Sequence, residues 1–236
     1  AVEDGNEDVS PASRAVTQQE LNETFVVKNG TFAYGMDGWE TFAMIWDWYG
    51  TEASFNRVEA GIRIDITNTG EAGQYAGPWT IGLNQPIFVI CDETYTLSFD
   101  VESTMDRTIH SGIQEGKVEN GSFVNGDKSF IEPTELKAGE KQHVERDITM
   151  DVRDISGNFT IQMGAKGPSD GWEGEHSITL SNIRLEKKGA REKYIVVTDP
   201  DFTDTDRFDL TGGSVELPEG GAGNCLNFSG SGSITY

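Results

Sequence analysis

From about Thr24 to Lys188 the sequence is a succession of short β-prone runs broken by turn residues, a pattern that few architectures accept. The runs are Phe25–Lys28, Thr41–Trp48, Gly61–Thr67, Pro86–Ile90, Thr94–Val101, Arg107–Gln114, His143–Met150, Asn158–Met163 and His176–Leu185. Each is rich in β-branched or aromatic residues or alternates apolar with polar. Between them lie Asn68-Thr69-Gly70, Glu119-Asn120-Gly121 and Asn125-Gly126-Asp127, which supply turns. No stretch holds a helical period for more than three turns. Nine or ten short strands with this punctuation predict an all-β fold, an antiparallel β-sandwich.

Composition narrows the partners. Hydrophobic residues make up 36% of the 236, enough for a core, and no apolar run approaches a membrane span. Acidic residues outnumber basic ones 40 to 18, for a formal net charge of −22. Such a surface repels nucleic acid and anionic lipid, which argues against both, whereas a neutral ligand meets no long-range charge penalty. The same charge also serves simply to keep a secreted protein soluble. Cys91 and Cys225 either form one disulfide, as suits an extracellular protein, or stay as two thiols. His110, His143 and His176 have no metal-binding spacing, and no cofactor is expected.

Three regions follow. Residues 1–22 are acidic and polar and read as a linker or arm, opening at Ala1-Val2-Glu3-Asp4 like a mature N-terminus whose targeting segment has gone. Residues 23–188 form the sandwich. Residues 189–236 read as a linker and the start of a truncated second module, because Asp199-Pro200-Asp201-Phe202 echoes Asn29-Gly30-Thr31-Phe32. The other reading is that this tail adds strands to the first sandwich.

Catalytic signatures are absent. Hydrolysis of a glycosidic bond needs two carboxylates fixed across a cleft. The nearest cluster, Asp147, Asp151 and Asp154, straddles a strand end and a turn. There is neither a Gly-x-Ser-x-Gly elbow nor a His-Glu-x-x-His helix. The aromatics are more informative. In Tyr75-Ala76-Gly77-Pro78-Trp79-Thr80-Ile81-Gly82-Leu83, rings stand in a glycine-bracketed stretch that otherwise reads as sheet. Tyr75 and Trp79 share parity there, and an exposed indole is a flat apolar surface for the C–H face of a sugar. Trp39 is expected in the core. Trp46 and Trp48 face one way, into either the core or a platform, with Trp48 nearer the loop at Gly50. Trp172 stands in a polar loop. Gln114 and Gln162 offer both a donor and acceptors, and are either readers of hydroxyls or solvated strand residues.

The order of these pieces resembles the bacterial carbohydrate-binding modules of families 4, 9, 16 and 22, over residues 27 to 186. The resemblance is carried by Asn29-Gly30-Thr31-Phe32, Gly38-Trp39, Gly77-Pro78-Trp79-Thr80-Ile81-Gly82-Leu83, Thr94-Tyr95-Thr96-Leu97-Ser98-Phe99-Asp100 and the closing Ser177 to Leu185. It implies a jelly roll whose concave sheet forms a cleft for one glycan chain. It maps the family's cleft tryptophan onto Trp79, a second stacking ring onto Phe123 and a polar cleft residue onto Gln162. Many members bind a structural calcium through acidic residues where this chain has Ala33 and Ser181, and a hard cation prefers charged oxygens. The resemblance implies a secreted or cell-surface protein, monomeric within a multidomain glycoside hydrolase, whose partner is a β-linked polysaccharide such as xylan, β-glucan or mannan. The rival expectation is a structural or adhesive β-sandwich with its rings buried.

Overall fold

The structure, a computed structural model, describes residues 24–44, 50–59, 61–69, 77–119, 122–151, 156–165 and 174–189, and the backbone of 209–216 and 225–235. The strands are β1 (Glu40–Ala43), β2 (Thr51–Val58), β3 (Gly61–Thr69), β4 (Ile81–Phe88), β5 (Thr94–Ser103), β6 (Arg107–Glu119), β7 (Ser122–Leu136), β8 (Lys141–Thr149), β9 (Ser156–Gln162), β10 (His176–Lys187), β11 (Asp209–Glu216) and β12 (Cys225–Thr235). Two antiparallel five-stranded sheets form a β-sandwich, one ordered β1-β4-β9-β6-β7 and the other β2-β3-β10-β5-β8. This is the all-β antiparallel sandwich that the strand pattern predicts. Among the described residues no helix is long and apolar enough to cross a membrane.

Alternation explains which residues fill the core. Ile62, Ile64 and Ile66 of β3, Leu97, Phe99 and Val101 of β5, and Phe159 and Ile161 of β9 point inward and are buried. In β10 the inward set changes parity, from Ile178 and Leu180 to Ile183 and Leu185. The register shifts between Ser181 and Arg184, and Asn182 takes a φ of 52°. The extra residue turns an apparently broken alternation into a continuous apolar face. Trp39 is buried as expected, stacked on Phe32 at 5.4 Å between ring centroids and edge-on to Phe159 at 6.0 Å.

Several expected strands differ. Phe25–Lys28 is not a strand: Phe25 makes one isolated bridge to Glu186, and Val26 N–H donates to Leu185 O. The run around Pro86 begins earlier, at Ile81, and ends at Phe88. Strand β1 covers only Glu40–Ala43, and residues 45–48 of the expected run lie outside the described residues. Two strands were not predicted at all, β2 and the 15-residue β7. Both are sheet edges, where one side of the ladder is open and polar residues, turn formers and Pro133 are tolerated.

The sandwich falls within a compact unit, Ala15–Lys188, and Gly189–Tyr236 falls in another. In the latter, β11 and β12 pair antiparallel, with a register shift between Thr211 and Gly213. The Cys225 side chain lies outside the described residues, and with it the Cys91–Cys225 pairing.

Candidate functional site

Because β4 sends Ile81, Leu83 and Ile87 inward, β9 Phe159 and Ile161, and β6 Ile109 and Ile113, their alternate residues form one outer face. Antiparallel register arranges it in rows across the sheet. The first row is Phe42, Gly82, Gln162, His110 and Pro133. Next come Glu40, Asn84, Thr160, Gly112 and Ile131, then Pro86, Asn158, Gln114 and Ser129. A fourth row holds Phe88, Ser156, Gly116 and Asn125. From Gly82 to Phe88 the face runs about 20 Å along the strands, and its five strands span about 19 Å. In a chain with 40 acidic residues, the central strands β4, β9 and β6 place no carboxylate and no lysine or arginine on the first three rows.

Rings frame this polar surface, and each lies against a glycine. A Cβ on Gly82 would come within 2.5 Å of the Phe42 ring, so that ring covers the Gly82 backbone. Phe123 covers Gly116 in the same way, at 2.3 Å from such a Cβ, and Trp79 covers Gly77 at 2.0 Å. Trp79 is 42% exposed and stands at the Gly82 end of the face. It belongs to a 3-10 turn, Pro78–Thr80, rather than to a strand, so its parity with Tyr75 does not apply. Pro78 fixes φ and starts the turn, and the Thr80 hydroxyl donates to Gly77 O at 2.9 Å.

The turn is anchored from below. Gly164 N–H donates to Pro78 O at 2.9 Å. Arg107, fully buried, donates to Gly164 O at 2.9 Å, to Met163 O and to His176 Nε2. His176 Nδ1 lies 3.0 Å from Gly174 O, so the neutral ring with its proton on Nδ1 satisfies both partners. Burial pulls Arg107 down to about 9, and it stays protonated at neutral pH. Burial, together with the charge of Arg107, also holds His176 below its ordinary value against the opposing Gly174 carbonyl.

Hydrogen bonding on the face is not closed within the protein. Asn84 Oδ1, Asn158 Oδ1 and His110 Nδ1 are covered and have no partner, although each side chain is half-buried and reaches the surface. Burial lowers the His110 imidazole, the charge of Arg107 adds to this and Glu135 opposes it, so the ring is neutral at pH 7. Gln114 uses its amide nitrogen internally, towards Glu115 O, Gly126 O and Lys128 O, and so fastens the irregular part of the β6–β7 ladder.

Phe123, Gln114 and Gln162, picked out from the sequence, thus lie on one side of one sheet, and Trp79 stands in the turn that leads into β4. Trp48 and Tyr75 lie outside the described residues, as does Trp172. Sequence reasoning missed Phe42, Asn84, His110 and Asn158. Phe42 carried no local signal, because the glycine beneath it belongs to another strand. Away from this face, Asn29 organises the loop that follows it: its amide donates to Gly35 O and Asp37 O at 3.0 Å, and Trp39 Nε1–H donates to Asn29 O at 3.0 Å. Ala33 lies in that loop, and Ser181 is buried on β10. Among the described residues no group of three or more His, Cys, Asp or Glu side chains is placed to hold a metal ion.

No protein-family model and no curated protein matches the sequence. Among solved structures, the chain is similar to a family 4 carbohydrate-binding module, at 18% identity and a TM-score of 0.52, over 69% of this chain and 99% of the other. It is also similar to the N-terminal cellulose-binding domain of β-1,4-glucanase C from Cellulomonas fimi, at 17% identity and a TM-score of 0.46, over 69% and 96% of the two chains. The sandwich therefore has the jelly-roll fold found in carbohydrate-binding modules.

Proposed function

We propose that residues 23–188 are a non-catalytic carbohydrate-binding module. It holds a single β-glycan chain, of the xylan, β-glucan or mannan class, on the outer face of the sheet β1-β4-β9-β6-β7. The observation that carries this is the chemistry of that face: amides, hydroxyls and one neutral imidazole with unpaired polar atoms, free of charge on its central strands and framed by Phe42, Trp79 and Phe123. Sugars offer the complement, hydroxyls in the ring plane and apolar C–H surface above and below it. The indole and phenyl faces take the second, while Gln162, Asn84, Asn158 and His110 take the first. Gln114 contributes its carbonyl oxygen, since its nitrogen is engaged.

The role follows from tethering. Linked to a secreted polysaccharide-degrading enzyme, the module raises the effective concentration of substrate at the catalytic domain. Titration calorimetry with fragments of xylan, lichenan and glucomannan tests this reading. Binding to at least one is expected, with Trp79→Ala weakening it by about tenfold or more, or about 1.4 kcal/mol. Failure to bind any β-glycan, or full affinity in Trp79→Ala, would overturn it.

A further inference from the structure

Beside the proposed glycan face, strand β1 pairs with β4 only from Ile81 to Asn84, and among the described residues no strand pairs with Gln85 to Phe88 on that side. Gln85 stands in for one: its side chain accepts from Lys28 N–H at 2.7 Å and donates to Lys28 O at 2.9 Å. Alongside lies an open recess of about 530 Å³, lined by Val26, Lys28, Gln85, Pro86, Phe88 and Ile90 among others, and the Lys28 ammonium donates to Phe25 O at 2.6 Å. Phe88 is 79% exposed and Ile90 39%, an unusual display of apolar surface next to a polar face.

Pro86 and Phe88 belong to both places. By alternation they occupy the third and fourth rows of the outer face, and they also line the recess. A main chain lying on the face therefore passes the mouth of the recess. Pro86 has no N–H to give a ladder, which disfavours an added peptide strand on this edge. The net charge of −22 disfavours a second copy of the chain and an anionic membrane. The volume is that of a small-molecule site, and its exposed phenyl ring is the surface on which a pyranose stacks.

We propose that this recess takes a neutral sugar branch of a glycan whose main chain lies on the outer face, so that the protein selects substituted over plain β-glycan chains. The proposal rests on the glycan-binding reading above and adds a second contact to it. The test is calorimetry with pairs that share a backbone: cellotetraose against xyloglucan heptasaccharide, mannopentaose against its galactosylated form, and xylopentaose against its arabinosylated form. In at least one pair the branched member should bind about tenfold more tightly. Phe88→Ala should remove about tenfold of that affinity. Ile90→Ser should remove about threefold, while leaving the unbranched chain within about twofold. Equal or weaker binding of every branched member, with an unbranched one still bound, would overturn the branch site alone. Absence of binding to all of them would overturn the glycan reading and the branch site with it. A concentration-dependent dimer in sedimentation that Phe88→Ala abolishes would assign the recess to a second copy and overturn the proposal.

Discussion

At Gly82 a single missing side chain decides where a ring lies. Phe42 rests where a Cβ would stand, 2.5 Å from that atom, so Gly82→Val must push the ring off the face. The expected result is a loss of about 1–3 kcal/mol in urea unfolding, as in other overpacked sites, together with weaker glycan binding. Trp39 works in the opposite sense, as a buried anchor packed on Phe32 and Phe159. Trp39→Phe takes the indole donor from the Asn29 carbonyl, which keeps Phe32 N–H, and losing one such hydrogen bond costs about 0.5–1.5 kcal/mol. Urea unfolding should register this, while glycan affinity at saturating folded fraction stays unchanged. The two substitutions separate fold from binding.

The element that presents Trp79 depends on its neighbours. The 3-10 turn leans on Gly164, and Gly164 on Arg107, which in turn requires a neutral His176. A proton on His176 Nε2 would face the Arg107 guanidinium. His176 is held below its ordinary 6.5 in the folded state, so the unfolded chain binds that proton more readily. Stability from this group is therefore present above about pH 6.5 and declines as pH falls below it. Thermal melts between pH 5 and pH 7.5 should show the decline, and His176→Gln should reduce it to the share carried by His110, which burial lowers in the same direction. Elements of this kind were only partly legible in the sequence. Central strands such as β3 and β5 announce themselves, because burial on one face enforces alternation. Edge strands β2 and β7 do not, because their open side admits polar residues and turn formers, whereas edge strand β8 keeps its alternation and shows. Trp79 could be found from its glycine and proline neighbours. Phe42, Asn84 and Asn158 could not, since only the register of β1, β4 and β9 brings them to one face.

For the molecule as a whole, charge is kept off the central strands of the outer face proposed to hold a glycan, with Glu40 on edge strand β1. Long-range attraction from the net charge of −22 therefore contributes nothing to capture of a neutral chain there. Affinity measured by calorimetry at 50 mM and at 500 mM sodium chloride should agree within about twofold, because there is little charge interaction to screen. The three ring-on-glycine pairs add a thermodynamic consequence. Phe42, Trp79 and Phe123 are each held against backbone before any ligand arrives, so their rotamer freedom is lost on folding rather than on capture. An immobilised side chain otherwise costs about 0.5–1.5 kcal/mol at the moment of binding. Free and occupied forms should then share one conformation of these rings, and the protein should meet its ligand as a rigid die rather than a closing hand.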